Sequence, residues 1–264
     1  MRKAASLGFK AVQIGPLRNF VSIEGERLGS VLDSLDMKRN VHVGGIYDAK
    51  KFALTEGEYT TAQKQMHYGI TLCKELSSTL VSIHPPFFGA RGRVSKGLLS
   101  KARISFLKLV KEEVNFASCN HIRIALESFC YHPFIFEGLH DFAQFISRFT
   151  SRKLGVLLDV GHLHQIRIDI YEAVHMFKHR LLDVHVHDAT FERNFRKATY
   201  LPIGKGTINF SELIRLLLEA GYDRWLTLEI RGNEREIVES KEYLENTIRT
   251  TPSNTKCFRH AFLD

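Results

Sequence analysis

Short apolar runs alternate with longer amphipathic stretches along this chain. Aliphatic and β-branched residues cluster near 11–15, 40–44, 80–84, 122–127, 154–159, 181–186 and 225–230. Runs of that length and composition predict buried strands. Between them, apolar positions recur at helical spacing. Within 95–118 these are Leu99, Ala102, Phe106, Leu109 and Val110, one face of a helix. The stretch 209–220 shows a start and a stop as well. Asn209 is a cap, and Glu212 three residues on gives a box-like start. Phe210, Leu213, Ile214 and Leu217 form the buried stripe, and Gly221 ends the helix in a left-handed turn. Strand and helix alternate throughout, which predicts a parallel α/β sheet.

The ends of the apolar runs carry the second signal. Val81-Ser82-Ile83-His84, Ile124-Ala125-Leu126-Glu127, Val156-Leu157-Leu158-Asp159, Leu182-Asp183-Val184-His185 and Leu226-Thr227-Leu228-Glu229 each finish in an acid or a histidine, and Asn40-Val41-His42 is a weaker sixth. Polar groups repeated at strand ends, about one strand–helix unit apart, converge on one end of a parallel barrel. The expected fold is a TIM (β/α)8-type barrel. Seven strands are visible where eight are needed. Residues 1–8 read as the end of a helix, so either the first strand is expected upstream of Met1 or something else fills that gap. One domain is expected over 1–250, followed by a polar tail over 251–264.

Composition narrows the setting. The chain has 264 residues, 44% of them hydrophobic, ample for one compact core. No apolar stretch approaches the roughly 18 residues of a membrane span, and no signal-type segment follows Met1. A soluble cytoplasmic protein with no membrane association is expected. The four cysteines, Cys73, Cys119, Cys130 and Cys257, are scattered, which reads as buried free thiols in a reducing compartment. A net charge of +8 favours anionic partners.

The strand ends also suggest chemistry. Glu127, Asp159, His185 and Glu229 would meet as three carboxylates and one imidazole. That hard, oxygen-rich set suits one divalent ion: Mn2+, Mg2+ or Co2+, and Zn2+ less exclusively. Without a cation, three crowded carboxylates repel one another into protonation. In Asp159-Val160-Gly161-His162, Gly161 lets the backbone curl so that acid and imidazole point the same way. His162 then reaches a substrate oxygen or a second metal. In Val184-His185-Val186-His187-Asp188, alternation puts both histidines on one side. His185 is the deeper and the ligand, while His187 and Asp188 are expected at the rim, orienting substrate or supporting the ligands.

These segments resemble a known group. "SIHPP" (82–86), "IALES" (124–128), "LLDVGH" (157–162), "VHVHDA" (184–189), "YLPIGKGTINF" (200–210) and "LTLEI" (226–230) look like the xylose-isomerase-like TIM barrels. That superfamily holds sugar and sugar-phosphate isomerases and epimerases as well as endonuclease IV-type abasic-site nucleases. The resemblance covers about residues 5–245. It implies Glu127, Asp159, His185 and Glu229 as metal ligands. It also implies His42 and His84 as partners of Glu127 around an additional zinc in the nuclease branch. That branch has Asp-x-His where this chain has Ala198 and Tyr200, which removes two ligands of a trinuclear cluster.

What the resemblance implies for chemistry is proton transfer through an enediolate. Glu127 and Glu229 stand on opposite sides of an open-chain sugar or sugar phosphate, with His162 steadying the carbonyl oxygen. Substrate contacts are expected from His187, Asp188, Arg91, Arg93, Arg196 and Lys205. The loop after His84 carries Phe87, Phe88, Arg91, Arg93 and Lys96. The loop after His187 carries Phe191, Arg193, Phe195, Arg196, Lys197 and Tyr200. Aromatics wall a sugar and arginines grip phosphate. The same mixture suits DNA, so an abasic-site endonuclease is the alternative reading, and a decayed barrel that binds a partner is a third.

Overall fold

The computed structural model describes residues 1–17, 23–44, 48–88, 94–128, 135–191 and 199–252. It divides into two compact units, Met1–Glu127 with His132–Gly155, and Ser128–Tyr131 with Val156–Asp264. In the first unit the elements run α1 (Arg2–Ser6), β1 (Ala11–Leu17), α2 (Gly25–Ser34), β2 (Lys38–Val43), α3 (Ala49–Leu54), α4 (Glu56–Glu75), β3 (Leu80–Ile83), α5 (Lys96–Cys119), β4 (Arg123–Glu127) and α6 (Leu139–Ser147). β5 (Leu154–Asp159) begins at the end of this unit and continues into the second. There follow α7 (Val160–Gln165), α8 (Ile170–Phe177), β6 (Leu181–Val186), α9 (Phe210–Glu219), β7 (Leu226–Leu228) and α10 (Glu234–Thr250). Among the described residues there are seven strands, one at each predicted run.

Within the first unit β1 pairs with β2, β2 with β3 and β3 with β4, all parallel. The register sets His42 beside Ser82 and Leu126 beside Ile83. In the second unit β5 pairs with β6 and β6 with β7, again parallel, with Asp159 beside His185 and His185 beside Thr227. Parallel pairing in chain order brings the carboxyl ends of neighbouring strands side by side. That is why chemistry spread over the sequence collects at strand ends.

The strand residues Val41, Val81, Ile83, Ile124, Leu126, Val156, Leu158, Val184 and Val186 are buried. In the first unit an aromatic cluster fixes α5 and α6. The Phe106 and Phe145 rings stack at 5.3 Å, and Phe136 lies 5.1 Å from both Phe142 and Phe145. In the second unit α9 buries Phe210, Leu213, Ile214 and Leu217, as its apolar stripe predicts.

Helix ends obey local chemistry. The Ser95 hydroxyl accepts the Leu98 N–H at 3.2 Å at the start of α5. Asn209 caps α9 by accepting the Glu212 N–H at 3.0 Å, and Gly221 takes a φ of 70° just past its end. The expected box at α9 is only half made, because the Glu212 carboxylate turns to Arg215, whose Nε donates at 2.8 Å. A complete box forms at α10 instead. Asn233 Oδ1 accepts from Glu236 N at 3.1 Å, and Glu236 Oε2 accepts from Asn233 N at 2.9 Å. Of the described cysteines, both free, Cys73 is buried as expected but Cys119 at the end of α5 is exposed.

Candidate metal centre

In the second unit the polar groups converge on Asp159, the last residue of β5, which is fully buried. Asp159 serves two elements. Its Oδ1 accepts the His162 N–H at 2.8 Å and so caps α7, while Oδ2 lies 3.2 Å from His162 Nδ1 and 3.9 Å from His185 Nδ1. His185 Nδ1 is 2.8 Å from Glu229 Oε2. The Glu229 N–H extends the β6–β7 ladder by donating to Val186 O at 3.0 Å, which sets this carboxylate beside the strand end. Donor atoms of Asp159, His185 and Glu229 all lie within 4.8 Å of one another. Two carboxylates and an imidazole at that spacing fit a divalent cation.

Asp159, His162 and His187 form a second grouping of the same span. His187 Nε2 is 3.1 Å from Asp159 Oδ1, and its Nδ1 is 3.1 Å from the Asp188 carbonyl. Burial pulls the His187 imidazole down. The Asp159 charge and hydrogen bond, the Asp188 carbonyl and the Glu229 charge outweigh it, so the group titrates above its ordinary value. His187 and Asp188 are both buried, in contrast to the expected rim position. The reason is steric as well as polar: a Cβ at Gly161 would stand 2.0 Å from His187 Cε1. Gly161 therefore serves by having no side chain. It lies inside α7, and the conformational freedom expected of it is not used.

Asp188 is taken up by backbone. Its Oδ1 accepts from Ala189 N at 2.9 Å and Ile208 N at 3.1 Å, and its Oδ2 accepts from Gly204 N at 2.9 Å. It pins the 201–208 turn, where a Cβ on Gly206 would meet Asp188 Oδ1 at 2.3 Å. Lys205 is exposed on that turn. Tyr200, at a φ of 49°, lays its ring 4.8 Å from His187 and 5.5 Å from His162. The Arg231 guanidinium lies over the same ring, 4.7 Å from its centroid.

The first unit holds its own cluster. His84 Nε2 is 2.7 Å and His42 Nε2 3.4 Å from Glu127 Oε2. The two imidazoles meet edge-on at 4.7 Å, and Gln13 Oε1 is 3.2 Å from His42 Nδ1. All three of His42, His84 and Glu127 are buried.

The profile of the family described as xylose isomerase-like TIM barrel matches residues 1–247. The chain belongs to this family. Its fold is accordingly the TIM-type α/β barrel of the xylose isomerase-like proteins. A D-tagatose 3-epimerase-like protein superposes with a TM-score of 0.81 at 23% identity, over 95% of this chain and 92% of that one. D-psicose 3-epimerase from Clostridium cellulolyticum H10, solved with D-tagatose, gives 0.71 at 15% identity, over 96% and 92%. The IOLI protein, solved with a zinc atom, gives 0.72 at 14%, over 100% and 93%. In sequence, the protein MJ1311 of Methanocaldococcus jannaschii is 28% identical over 178 residues, 65% of this chain and 57% of that protein's length. The chain thus matches little more than half of that relative.

Within this xylose isomerase-like chain, Arg91, Arg93 and Arg196 lie outside the described residues, as do Arg193, Phe195, Lys197 and Ala198. Phe88 is buried, whereas the Phe191 ring is exposed under the Arg167 guanidinium at 3.3 Å. Among the described strand residues, one buried acid escaped the strand-end pattern. Asp183 sits two residues before His185 on β6, with Oδ2 at 4.0 Å from His185 Nε2. Period-2 alternation puts it on the same strand face, and that was its only signal. Among the described residues no helix is long and apolar enough to cross a membrane.

Proposed function

We propose that this chain is a divalent-metal-dependent isomerase or epimerase of a sugar or sugar phosphate, held by Glu127, Asp159, His185 and Glu229. The observation that carries the reading is the 4.8 Å grouping of Asp159, His185 and Glu229 donors. Glu127, buried at the carboxyl end of β4, is the proposed fourth ligand. Sugar 3-epimerases among the proteins of like fold support the substrate class. The zinc in the IOLI protein supports metal use. The proposed setting is the cytoplasm, where Cys73 and Cys119 would stay as the free thiols they are.

When bound, a divalent ion supplies Lewis acidity, offsetting negative charge on the substrate oxygens. The protein residues do the rest. One of Glu127 and Glu229 takes the proton from the carbon beside the carbonyl; the other, itself protonated, gives its proton to the opposite face of that carbon in an epimerisation, or to the former carbonyl carbon in an isomerisation. His162, held against Asp159, orients the carbonyl oxygen. The buried Asp159 and His185 side chains keep bulk water from competing for those contacts. Lys205 and the arginines of the two long loops would meet a phosphate.

The test is exchange. Incubated in deuterium oxide with Mn2+ and a panel of ketoses and their phosphates, the protein should place deuterium on the carbon beside the carbonyl. Glu127→Gln and Glu229→Gln should each abolish that. A metal-loaded protein silent across the panel would sink the reading. A second reading, an abasic-site endonuclease, draws on the His42, His84 and Glu127 cluster, which could hold an additional zinc. Nicking of an abasic duplex by the zinc-loaded protein is its direct test.

A further inference from the structure

We infer that Asp183 is a positioning residue for the metal site: a buried carboxylate behind His185 that holds the imidazole with Nε2–H turned inward and Nδ1 presented to the cation. The inference rests on the metal reading above and adds a residue to it. His185 has two distinct ends. Nδ1 faces the carboxylates, at 2.8 Å from Glu229 Oε2 and 3.9 Å from Asp159 Oδ2. Nε2 faces Asp183 Oδ2 at 4.0 Å. Both side chains are fully buried. A carboxylate kept out of water costs several kcal/mol unless charge and hydrogen bonds offset it, and Asp183 is equipped for that. Its Oδ1 accepts the Thr227 hydroxyl at 3.0 Å and the Val184 N–H at 2.9 Å. Those two donors fix the carboxylate plane, with Oδ2 on the His185 side.

The strand geometry explains the placement. Residues 183 and 185 alternate onto one face of β6, and Thr227 stands beside His185 in the β6–β7 register. Two strands therefore build the support together. A ligating imidazole gains positive character when its other nitrogen gives its electron pair to a cation, and a carboxylate on the far side strengthens that donation and fixes the tautomer. The contact is longer than a hydrogen bond, and on this inference it closes to one when the cation binds.

Asp183→Asn tests this, because an amide keeps the size of the side chain and an oxygen for Thr227 and Val184. It also turns a donor toward Nε2. Affinity for Zn2+ alone, measured by competition with a chromophoric chelator, should fall about 10–100-fold, while the far-ultraviolet dichroism stays native. 15N spectra of the zinc-loaded wild type should show His185 with its proton on Nε2. If Asp183→Asn does not fold, Thr227→Val serves, since it frees the carboxylate without removing it. Its zinc affinity should fall several-fold, and Thr227→Ser should restore it. Wild-type affinity in a folded Asp183→Asn protein, or a His185 proton on Nδ1, overturns the inference and leaves the metal site standing. Failure of the wild type to bind any divalent ion overturns the metal reading itself.

Discussion

A methyl group at Gly161 would stand within 2.3 Å of three atoms of the His187 ring, so Gly161→Ala must displace a buried imidazole or bend α7. Overpacking of this kind costs about 1–3 kcal/mol, to be read as a lower urea midpoint. Gly57→Ala is the control: nothing lies within 4 Å of a Cβ there, and the change should be neutral or stabilising by up to about 1 kcal/mol. A second residue-scale prediction concerns Glu113 on α5. Burial, then the neighbouring Glu112 charge, raise its carboxyl to about 7, with the half-exposed His67 3.7 Å away as the facing imidazole. The folded state thus prefers the protonated acid. Its contribution to stability is full below the ordinary carboxylate range and is lost as pH climbs through about 7. Glu113→Gln should match wild type in melting temperature at pH 4.5 and exceed it at pH 8. A constant gap across that range would contradict the assignment. The strand-end residues Asp159, His185 and Glu229 were legible because alternation and run length are one-dimensional. The surroundings of Gly161, Asp183 and Asp188 were hidden because they depend on which ring, strand or turn lies across from them.

At the level of elements, caps give the cleanest test. Asn233 and Glu236 exchange two hydrogen bonds at the start of α10, so Asn233→Ala should cost about 1 kcal/mol, measured by chemical unfolding. Glu212→Ala at α9 should leave the Asn209 cap in place, since Asn209 accepts from the residue 212 backbone, and should cost only the exposed pairing with Arg215. The two helix starts share the same spacing in sequence. Arg215, one turn beyond Glu212, diverts the carboxylate at α9, and a local competition of that kind is invisible to a four-residue motif. Strands were read more faithfully than caps. A buried parallel strand reads as a near-continuous apolar run, whereas a cap depends on a single side chain choosing between partners.

For the whole molecule, metal and fold should be linked. A cation that binds the folded chain alone, at 100 times its dissociation constant, adds about 2.7 kcal/mol. For a chain of this size that raises the melting temperature by several degrees, and a chelator should reverse it. Asp159→Asn is the informative variant. Asparagine can still cap α7 as Asp159 does, so the fold should persist while the metal-dependent rise disappears. The barrel class was legible because seven apolar runs alternate with helices and six of them end in an acid or a histidine. The reaction was not, since neighbours of like fold share an architecture that hosts many activities. The most direct measurement is anomalous diffraction from crystals of the manganese-loaded protein. The account predicts one anomalous peak in contact with Asp159, His185 and Glu229. A peak elsewhere, or none at these carboxylates, would contradict it.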